Sequence, residues 1–417
     1  MDRRPSPVTT ARTGLVTAML PPDVGGTQVV IWRLFKDDPG VVVVSGAGSV
    51  SPPEGPYRPL DAPTLRLPYP HLRGYRYGLG PLWAAYGVAW LAYAARRAAR
   101  FFAHHQVDRI VSVPHHGPFA LLGLLVARRL ELPHTFYILD SWEEAAMGSL
   151  DRKLIQQGLR VAARTPHSTL AAVSPALMAH YRRTYGFQDC VWIPNPGPLP
   201  EERSAPGTKP EPIVVLSGGI KSFNYDAILA VIEAMRGCTV ARKLIITGPG
   251  FRFGETLRSW GAGYDHVECL MGTREEVAAI QRRAAVLLIA TNVADSSLTA
   301  RGYLPGRLPE YVAAGRPILL IGPATSDAWR AINHWRLGRT LASQDKAAIA
   351  EAIDDLARES IESDGRRESG DFDALFLEVF SREEARRRLL GGSELPTPPS
   401  ARAASLAGDF EQPFRKP

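Results

Sequence analysis

The segment 305–317 places a cation and a carboxylate at the start of a predicted helix. Pro305 and Gly306 indicate that the helix begins just after them, with Arg307 at its start and Glu310 in its first turn. A carboxylate there can accept hydrogen bonds from both hydroxyls of a ribose, although an acidic residue also suits the macrodipole of any helix. Arg307, and Arg301 before it, can help the helix start to neutralise an anion.

Polar residues follow two predicted strands in the first half of the chain. His115 and His116 come after the strand 109–113, and Asp140 comes after the strand 135–139. Ligands bind at the carboxyl ends of parallel strands, so Asp140 can anchor a substrate hydroxyl or accept its proton. It can equally cap the next helix, and the histidines can be ordinary, partly buried residues.

Glycines follow the first predicted strand of each half. Gly25 and Gly26 follow the strand 14–20, and Gly219 with Lys221 follows the strand 213–217. Glycine lets the backbone approach a phosphate or a sugar closely, and the lysine can balance its charge. A plain tight turn and a solvated lysine are the alternative interpretations.

Short aliphatic runs alternate with helical stretches, a pattern that predicts parallel sheets with helices on both faces. The predicted strands are 14–20, 41–45, 109–113, 135–139, 169–173 and 191–193, then 213–217, 243–247, 267–270, 286–290 and 317–321. The proline-rich stretch between the two sets cannot continue either kind of element. We therefore predict an α/β fold of two Rossmann-like, doubly wound domains, 1–196 and 213–371, joined by a linker at 197–212.

The sequence pattern changes near the end of the chain, from alternating strands and helices to a single predicted helix and a tail. Apolar residues at helical spacing predict a terminal helix at 372–392. The tail 393–417 lacks a core-forming pattern, and we expect it to be disordered.

Composition narrows the classes of partner. The 417 residues include 49 basic and 42 acidic side chains, a net charge of +7 that suits an anionic ligand but is too weak to indicate nucleic-acid binding. Cys190, Cys238 and Cys269 are widely separated, so the sequence predicts neither a disulfide nor a metal site and is typical of a reducing cytoplasm. The run 14–20 is short and lacks a plausible cleavage site, which favours a strand over a signal peptide.

One apolar segment could touch a membrane. Glycine and proline interrupt the start of the uncharged stretch 77–95, which favours a core helix over a membrane span. From Trp83 to Arg100, however, aromatic residues at helical spacing are followed by arginines, a pattern that also allows contact with the inner face of an anionic membrane. These residues are Trp83, Tyr86, Trp90, Tyr93, Arg96, Arg97 and Arg100.

Several passages resemble glycosyltransferase family 4. In the second half these are the strand, glycine, helix and strand at 267–289 and the sequence P-G-R-L-P-E-Y-V-A-A-G-R-P at 305–317. The latter is similar to the family's donor-binding helix, written P-S-K-hydrophobic-x-E-Y-hydrophobic-A-x-G-x-P. In the first half, Gly25 and Gly26 resemble the family's glycine loop. The passage V-S-P to Y-G to I-P-N-P at 173–196 is also similar.

The resemblance covers about 14–390 and implies a GT-B fold, in which two facing Rossmann-like domains hold a nucleotide-sugar donor on the second and an acceptor mostly on the first. It assigns Glu310 to the ribose and Arg307 to the place of the family's lysine. The implied donor-binding residues are Gly25, Gly26, Gly219, Lys221, Gly272, Arg301, Arg307, Leu308 and Glu310. The candidate catalytic residues on the first domain are Asp140, His115 and His116.

The chain departs from the family pattern at several positions. Gly302 stands where the family often has a second carboxylate that contacts the sugar, and Leu139 stands where it has a histidine. Gly219 and Asn224 overlay the usual arginine and lysine, for which Lys221 is the nearest substitute. These departures bear directly on activity.

We expect a cytoplasmic glycosyltransferase, possessing no cofactor, that moves a hexose from a nucleotide-diphosphate sugar to a glycan, lipid-linked or small-molecule acceptor. The resemblance implies retention of anomeric configuration, and cationic side chains and helix dipoles make a metal unnecessary. Two alternatives stay open. One is a GT-B-like nucleotide-sugar epimerase, which needs carboxylates that shuttle protons at the sugar ring. The other is a non-catalytic nucleotide-sugar-binding homologue, which the changes at Leu139, Gly219 and Gly302 would suit.

Overall fold

The computed structural model describes residues 11–21, 26–46, 59–68, 80–114, 117–141, 149–199, 209–220, 224–248, 263–363 and 369–390. The chain divides into two compact units. The first unit is Met1–Val173 with Met178–Trp192, and the second unit is Ser174–Leu177 with Ile193–Pro417. Each unit is built around its own parallel sheet.

The first unit contains a seven-stranded sheet in the order β3-β2-β1-β4-β5-β6-β7. Its strands are β1 Thr13–Thr17, β2 Val41–Gly46, β3 Thr64–Leu67, β4 Arg109–Val113, β5 His134–Ile138, β6 Ser168–Ala172 and β7 Cys190–Trp192. Its helices are α1 Gly26–Phe35, α2 Gly80–His104, α3 Gly117–Leu130, α4 Ser149–Ala163 and α5 Pro175–Tyr185, whose first turn belongs to the second unit. Strands β1 and β2 are buried along their whole length, as helices on both faces require.

The second unit contains a six-stranded sheet in the order β10-β9-β8-β11-β12-β13. Its strands are β8 Glu211–Ser217, β9 Lys243–Thr247, β10 Val267–Leu270, β11 Ala284–Ala290, β12 Ile318–Ile321 and β13 Gly338–Leu341. Its helices are α6 Tyr225–Ala234, α7 Arg274–Arg283, α8 Leu298–Arg301, α9 Leu308–Ala314, α10 Asp327–His334, α11 Lys346–Glu362, α12 Ser369–Leu375 and α13 Arg382–Leu390. A 3₁₀ turn, Met235–Gly237, follows α6, and a π-helical turn, Phe376–Phe380, follows α12.

Both sheets are doubly wound, as the alternating pattern predicts. The chain builds outward from β1 through β2 to β3 and then returns to pair β4 with the other side of β1. The second sheet repeats this plan, with β8 pairing β9 on one side and β11 on the other. The strand order therefore reverses at β1/β4 and at β8/β11, and ligands of such sheets bind outside the carboxyl ends at these points.

The predicted terminal helix 372–392 is wrong as a single element. The described chain forms α12 and a π-helical turn, breaks at Ser381, and resumes as α13. The Ser381 hydroxyl accepts the N–H of Glu384 (3.2 Å), so Ser381 caps a new helix.

The predicted linker 197–212 begins with residues that pack into the second unit. The N–H of Gly197 donates to the carbonyl of Phe380 (2.7 Å), and a Cβ at Gly197 would lie 2.3 Å from the Phe376 ring. Leu199 is buried. Residues 200–208 lie outside the described part of the chain.

Helix α2 packs on the first sheet as a core helix. Ala94, Ala98 and Phe102 are fully buried, and the Trp90 indole donates to the carbonyl of Pro68 (2.7 Å). None of the helices in the described part of the chain combines the length and hydropathy that a bilayer-crossing segment needs.

Candidate functional site

A glycine turn leaves β8 where the second sheet reverses its strand order. Gly218 has a φ of +109°, a backbone conformation that favours glycine. Its N–H donates to the carbonyl of Thr247 at the end of β9 (2.7 Å). A Cβ at Gly248 would approach the Gly218 carbonyl to 2.7 Å, so the turns after β8 and β9 pack backbone against backbone. Glycines on two adjacent strands thus fix this edge of the sheet.

Arg307 lies directly over the turn. A Cβ at Gly218 would lie 2.7 Å from Nη2 and 2.8 Å from Cζ of Arg307, so the guanidinium rests on the bare face of the glycine. Burial disfavours the charged form, but Tyr303, Tyr311 and Glu310 outweigh it and raise the pKa of Arg307 above its ordinary value. A permanent positive charge therefore lies at the carboxyl end of β8.

Helix α9 presents a carboxylate beside this cation. Arg307 occupies its N-cap position, and Glu310 lies half-buried in its first turn, as the sequence predicts. Gly315 ends the helix in the left-handed conformation, with a φ of 66°. The structure therefore brings Arg307, Glu310 and the Gly218 turn together at the reversal point.

A buried polar network ties α9 to the sheet. The N–H of Ser217 donates to the Tyr311 hydroxyl (2.9 Å), which donates in turn to the carbonyl of Leu288 (3.1 Å). The Ser217 hydroxyl accepts from Thr247 Oγ1 (3.0 Å) and from Gln281 Nε2 (2.9 Å). Burial raises the pKa of Tyr311, so its hydroxyl keeps the proton that it donates. These hydrogen bonds connect α9 to β8, β9 and β11 beneath Arg307.

Position 302 has no room for a side chain. A Cβ at Gly302 would lie 2.6 Å from Cγ of Leu177 and 3.2 Å from the carbonyl oxygen of Leu298. Leu177 is itself buried. The departure at Gly302 is therefore a packing feature, because an apolar side chain fills the place of the carboxylate that the resemblance would put there.

A small recess with a largely apolar surface opens near this position, after the carboxyl end of β11. Its cavity volume is about 20 Å³, which is room for about one water molecule. Its lining residues, which share polar or small side chains, are Thr291, Asn292, Asp295, Thr299, Ala300 and Tyr303. Tyr303, which lines the recess, also helps to raise the pKa of Arg307.

Several predicted donor-binding residues have structural roles. Gly272 follows β10 and precedes the Thr273 cap of α7; a Cβ there would lie 2.8 Å from the Glu276 carboxylate, which accepts the Thr273 N–H. Leu308 is fully buried, and its N–H donates to the carbonyl of Pro305 (2.9 Å). Gly272 therefore has a tight local contact, and Leu308 belongs to the core.

The other predicted donor-binding residues lie apart from these contacts or beyond the described ranges. Gly219 is exposed, with nothing within 4 Å of an added Cβ, and its carbonyl accepts from Asn224 Nδ2 (3.2 Å). Arg301 ends α8 with an exposed side chain. Lys221 lies outside the described part of the chain.

The predicted residues of the first unit are described by themselves. Asp140 is exposed just after β5, while Leu139 is buried. Gly26 begins α1, with open space around it. Gly25 and the pair His115 and His116 lie outside the described residues.

The described ranges hold no metal-binding cluster. His, Cys, Asp and Glu side chains do not gather there in groups of three or more around a point that a cation could occupy. Asp354, on α11, instead accepts the N–H groups of Thr239, Val240 and Ala241 at 2.6–3.1 Å. These hydrogen bonds lower the pKa of Asp354 against the opposing effect of burial.

Sequence reasoning missed Gly218 and Tyr311. Gly218 stands beside Gly219, and only its φ and its contact with Arg307 distinguish the two. Tyr311 follows Glu310 in the donor-helix motif, but the motif alone assigned no role to this tyrosine.

Comparison with known proteins identifies the fold. Models of known protein families and curated proteins of similar sequence give no match. HepE of Anabaena, solved with UDP, superposes with a TM-score of 0.61 over 91% of this chain and 98% of its own, at 13% identity. A glycosyltransferase of Rickettsia africae gives 0.60 over 95% and 99% at 12% identity. WaaG, a glycosyltransferase involved in lipopolysaccharide biosynthesis, gives 0.57 over 91% and 100% at 15% identity.

At these identities the likeness defines architecture alone. The chain has the GT-B glycosyltransferase fold, and the predicted fold class is confirmed. It is similar to HepE, the Rickettsia enzyme and WaaG across nearly the whole length of each.

Proposed function

We propose that this protein is a glycosyltransferase that uses a nucleotide-diphosphate sugar. The observation that carries the proposal is the Arg307 guanidinium seated on the Gly218 turn, with Glu310 in the adjoining helical turn. A fixed cation at the reversal point of a doubly wound sheet suits a diphosphate, and a neighbouring carboxylate suits the two hydroxyls of a ribose. HepE, of the same fold, has been solved with UDP-glucose, which supports this class of donor.

The edge of the second sheet supports one direction for the donor. Passing from β10 to β11, it presents exposed Met271, then the glycine turns under Arg307, then the polar residues Thr291 and Asn292 that follow β11. An apolar side chain suits a nucleobase, the cation suits the diphosphate, and polar groups suit a sugar. Gly272 then lies near the base, and Arg301 lies near the recess.

The chemistry places charge on the leaving diphosphate as the glycosidic bond breaks. Arg307 stabilises that charge, so transfer needs no metal ion and continues in the presence of EDTA. In a retaining reaction, the leaving diphosphate takes the acceptor proton on the same face of the sugar, and no protein nucleophile is required. Asp140, His115 and His116 of the first unit are the candidates for orienting the acceptor, a glycan, a lipid-linked sugar or a small molecule.

A non-catalytic nucleotide-sugar-binding protein is the second candidate. It is favoured by the two places where side chains of the family's chemistry are absent, Gly302 and Leu139. Such a protein would retain Arg307 and Glu310 but would not turn its ligand over.

Incubation with nucleotide sugars, following release of the nucleoside diphosphate, separates the two candidates. The first donors to test are UDP-glucose, GDP-mannose, ADP-glucose and dTDP-glucose. Release with one of them, increased by an acceptor, supports the glycosyltransferase. Tight binding without release supports the binding protein, and no binding of any nucleotide contradicts both.

Glu310→Gln tests the ribose assignment. We expect the wild type to bind the ribonucleoside diphosphate at least tenfold more tightly than its 2′,3′-dideoxy analogue, because hydrogen bonds to a charged acceptor contribute about 1.5–3 kcal/mol. The glutamine variant should lose most of this preference. Calorimetric titration measures both ligands, and an undiminished preference in the variant would remove Glu310 from the ribose site.

A further inference from the structure

The Tyr311 hydroxyl is buried against the residue that precedes the Gly218 turn. We infer that Tyr311 is a positioning residue, which holds the Arg307 guanidinium in the orientation that a diphosphate requires. The inference rests on the proposed function, because it concerns how the same cation is directed toward its ligand.

The hydrogen-bonding capacity of the Tyr311 hydroxyl is fully used. A phenol hydroxyl has one hydrogen to donate and two lone pairs that accept hydrogen bonds. The hydrogen goes to the carbonyl of Leu288 in β11 (3.1 Å), and one lone pair accepts the N–H of Ser217 in β8 (2.9 Å). A further hydrogen bond with this hydroxyl helps to raise the pKa of Arg307. One side-chain oxygen therefore joins two strands of the sheet to the cation.

Tyr311 also acts on Arg307 through the backbone of β8. Ser217 is the residue before Gly218, so the hydrogen bond from its N–H fixes the point at which the turn leaves the strand. Gly218 has a φ of +109°, and a Cβ there would lie 2.7 Å from Nη2 of Arg307. A shift of the turn would therefore move the surface on which the guanidinium lies.

The orientation of a guanidinium determines how it binds an anion. Its five N–H groups lie in one plane, so it can pair with two anionic oxygens at once only when that plane is turned toward them. Arg307 is partly exposed, whereas Tyr311 is fully buried. A ligand can therefore reach the cation from solvent, while the tyrosine holds it from inside the protein.

Tyr311→Phe tests the inference, because phenylalanine keeps the buried ring and removes only the hydroxyl. The change leaves the Ser217 N–H without its acceptor and Arg307 without one of its partners. The probes are UDP and its 2′,3′-dideoxy analogue, or the guanine or adenine equivalents if one of those bases is bound. We expect the variant to bind UDP about tenfold more weakly and to keep the wild-type preference for the ribose, which is assigned to Glu310.

Tyr137→Phe is the matched control. Tyr137 is fully buried in β5 of the first unit, so the control makes the same chemical change in a different core. Both variants should melt at a lower temperature than the wild type, and Tyr137→Phe should bind both ligands as the wild type does. A general loss of stability would then not account for weaker binding by Tyr311→Phe.

Arg307→Lys shows whether the two side chains act together. Lysine keeps the positive charge but lacks the planar fork that Tyr311 orients. We expect Tyr311→Phe to change the UDP affinity by less than about twofold when residue 307 is already lysine, against about tenfold in the wild-type background. An equal loss in both backgrounds would show that the hydroxyl does not act through Arg307.

Calorimetric titration gives outcomes that separate the inference from the proposed function. If the wild type binds UDP and Tyr311→Phe binds it equally well, Tyr311 is not a positioning residue while the proposed function stands. If Tyr311→Phe loses the ribose preference together with affinity, the hydroxyl supports α9 as a whole and the inference is overturned. If no nucleoside diphosphate binds the wild type, both fail.

Discussion

Gly218 and Arg307 form a pair in which the shape of one residue sets the position of the other. The guanidinium occupies the space that a Cβ would take, and the φ of +109° at Gly218 turns that face outward. The neighbouring Gly219 has no such constraint. The position of the charge that the proposed chemistry requires therefore depends on Gly218, a residue without a side chain.

Gly218→Ala and Gly219→Ala make this dependence measurable. In Gly218→Ala, the unfavourable φ should lower stability by about 1–3 kcal/mol, and the displaced Arg307 should weaken nucleoside diphosphate binding about tenfold. Gly219→Ala should retain the wild-type melting temperature, since nothing lies within 4 Å of its new Cβ. Thermal melting and calorimetry decide the matter, and equal behaviour of the two variants would contradict the pairing of Gly218 with Arg307.

Asp140→Asn tests the acceptor-side prediction. If Asp140 acts in the transition state, transfer should slow by about tenfold or more, equivalent to about 1.4 kcal/mol in barrier, while donor affinity stays unchanged. Asparagine caps a helix about as well as aspartate, so a capping role would leave rate and stability alone. Rate, donor affinity and melting temperature are measured on the one variant. A normal rate would direct attention to His115 and His116.

Among the elements, α2 has an outer surface whose character changes along its length. Val88 and Tyr93 are exposed, and Arg96, Arg97 and Arg100 are exposed after them. The Arg97 guanidinium donates to the Tyr93 hydroxyl (2.9 Å) and lies 5.7 Å from its ring. Trp90, which the aromatic spacing grouped with Tyr93, is buried, so these two rings lie on different sides of the helix; the side chains of Trp83 and Tyr86 lie outside the described part of the structure.

Reversible binding to anionic vesicles is the expected consequence of this surface. The arginines attract the lipid headgroups, and Val88 and Tyr93 contribute apolar contact. Flotation at low salt should recover the wild type with vesicles, and Arg96/Arg97/Arg100→Ala should float less. The control Arg160/Arg182/Arg183→Ala removes the same charge from exposed positions on α4 and α5. Equal flotation of the two triple variants, or none of the wild type, would contradict the assignment to α2.

The strands that sequence reasoning found and missed differ in burial. Runs such as Val41–Gly46 and Ala284–Ala290 are apolar because both faces of the strand are covered, and the pattern reveals them directly. Strands β3 and β13 are four-residue edge strands with partly exposed side chains, and their sequences TLRL and GRTL carry no continuous apolar signal. The break at Ser381 was readable, since Ser-Arg-Glu-Glu is a capping signature.

Residues of the candidate site could be predicted where a local sequence motif determines their position. They could not be predicted where contacts between distant parts of the chain determine it. Arg307 and Glu310 take their places from the local signals of one helix start. The closure of position 302 depends on Leu177, 125 residues earlier in the chain, and no local pattern reports such a contact.

At the scale of the whole molecule, a buried histidine couples stability to pH. His134 lies inside the first sheet, where its ring is hydrogen bonded with the hydroxyls of Ser112 (2.8 Å) and Ser168 (3.4 Å) on the neighbouring strands. Burial lowers the pKa of His134 to about 3, whereas an unfolded histidine titrates near 6.5. The folded chain therefore holds a neutral ring, and the unfolded chain binds a proton more readily.

Acidification should weaken the fold through this residue. The stability that comes from holding His134 neutral is fully present above about pH 6.5. It is lost as the pH falls toward 3, at up to about 1.4 kcal/mol per pH unit. Chemical denaturation between pH 7.5 and 4.5 should show a shallower dependence in His134→Gln, even though that variant starts less stable. His104→Gln, at an exposed position, should keep the wild-type slope. An unaltered slope in His134→Gln would show that its ring does not govern the acid response.

The central position of β8 has a consequence for synthesis on the ribosome. Its partner β11 follows about 70 residues later in the chain, which corresponds to roughly 3 to 14 s at about 5–20 residues per second. During that interval one side of β8 lacks its native neighbour, and an unpaired strand edge is a template for wrong pairing. Arg307 is synthesised after β11, and strands β12 and β13 are synthesised after Arg307. The second sheet therefore lacks some of its strands until the end of this region has been made. The site proposed for the diphosphate is thus completed by elements whose delay leaves one edge of β8 open to wrong pairing.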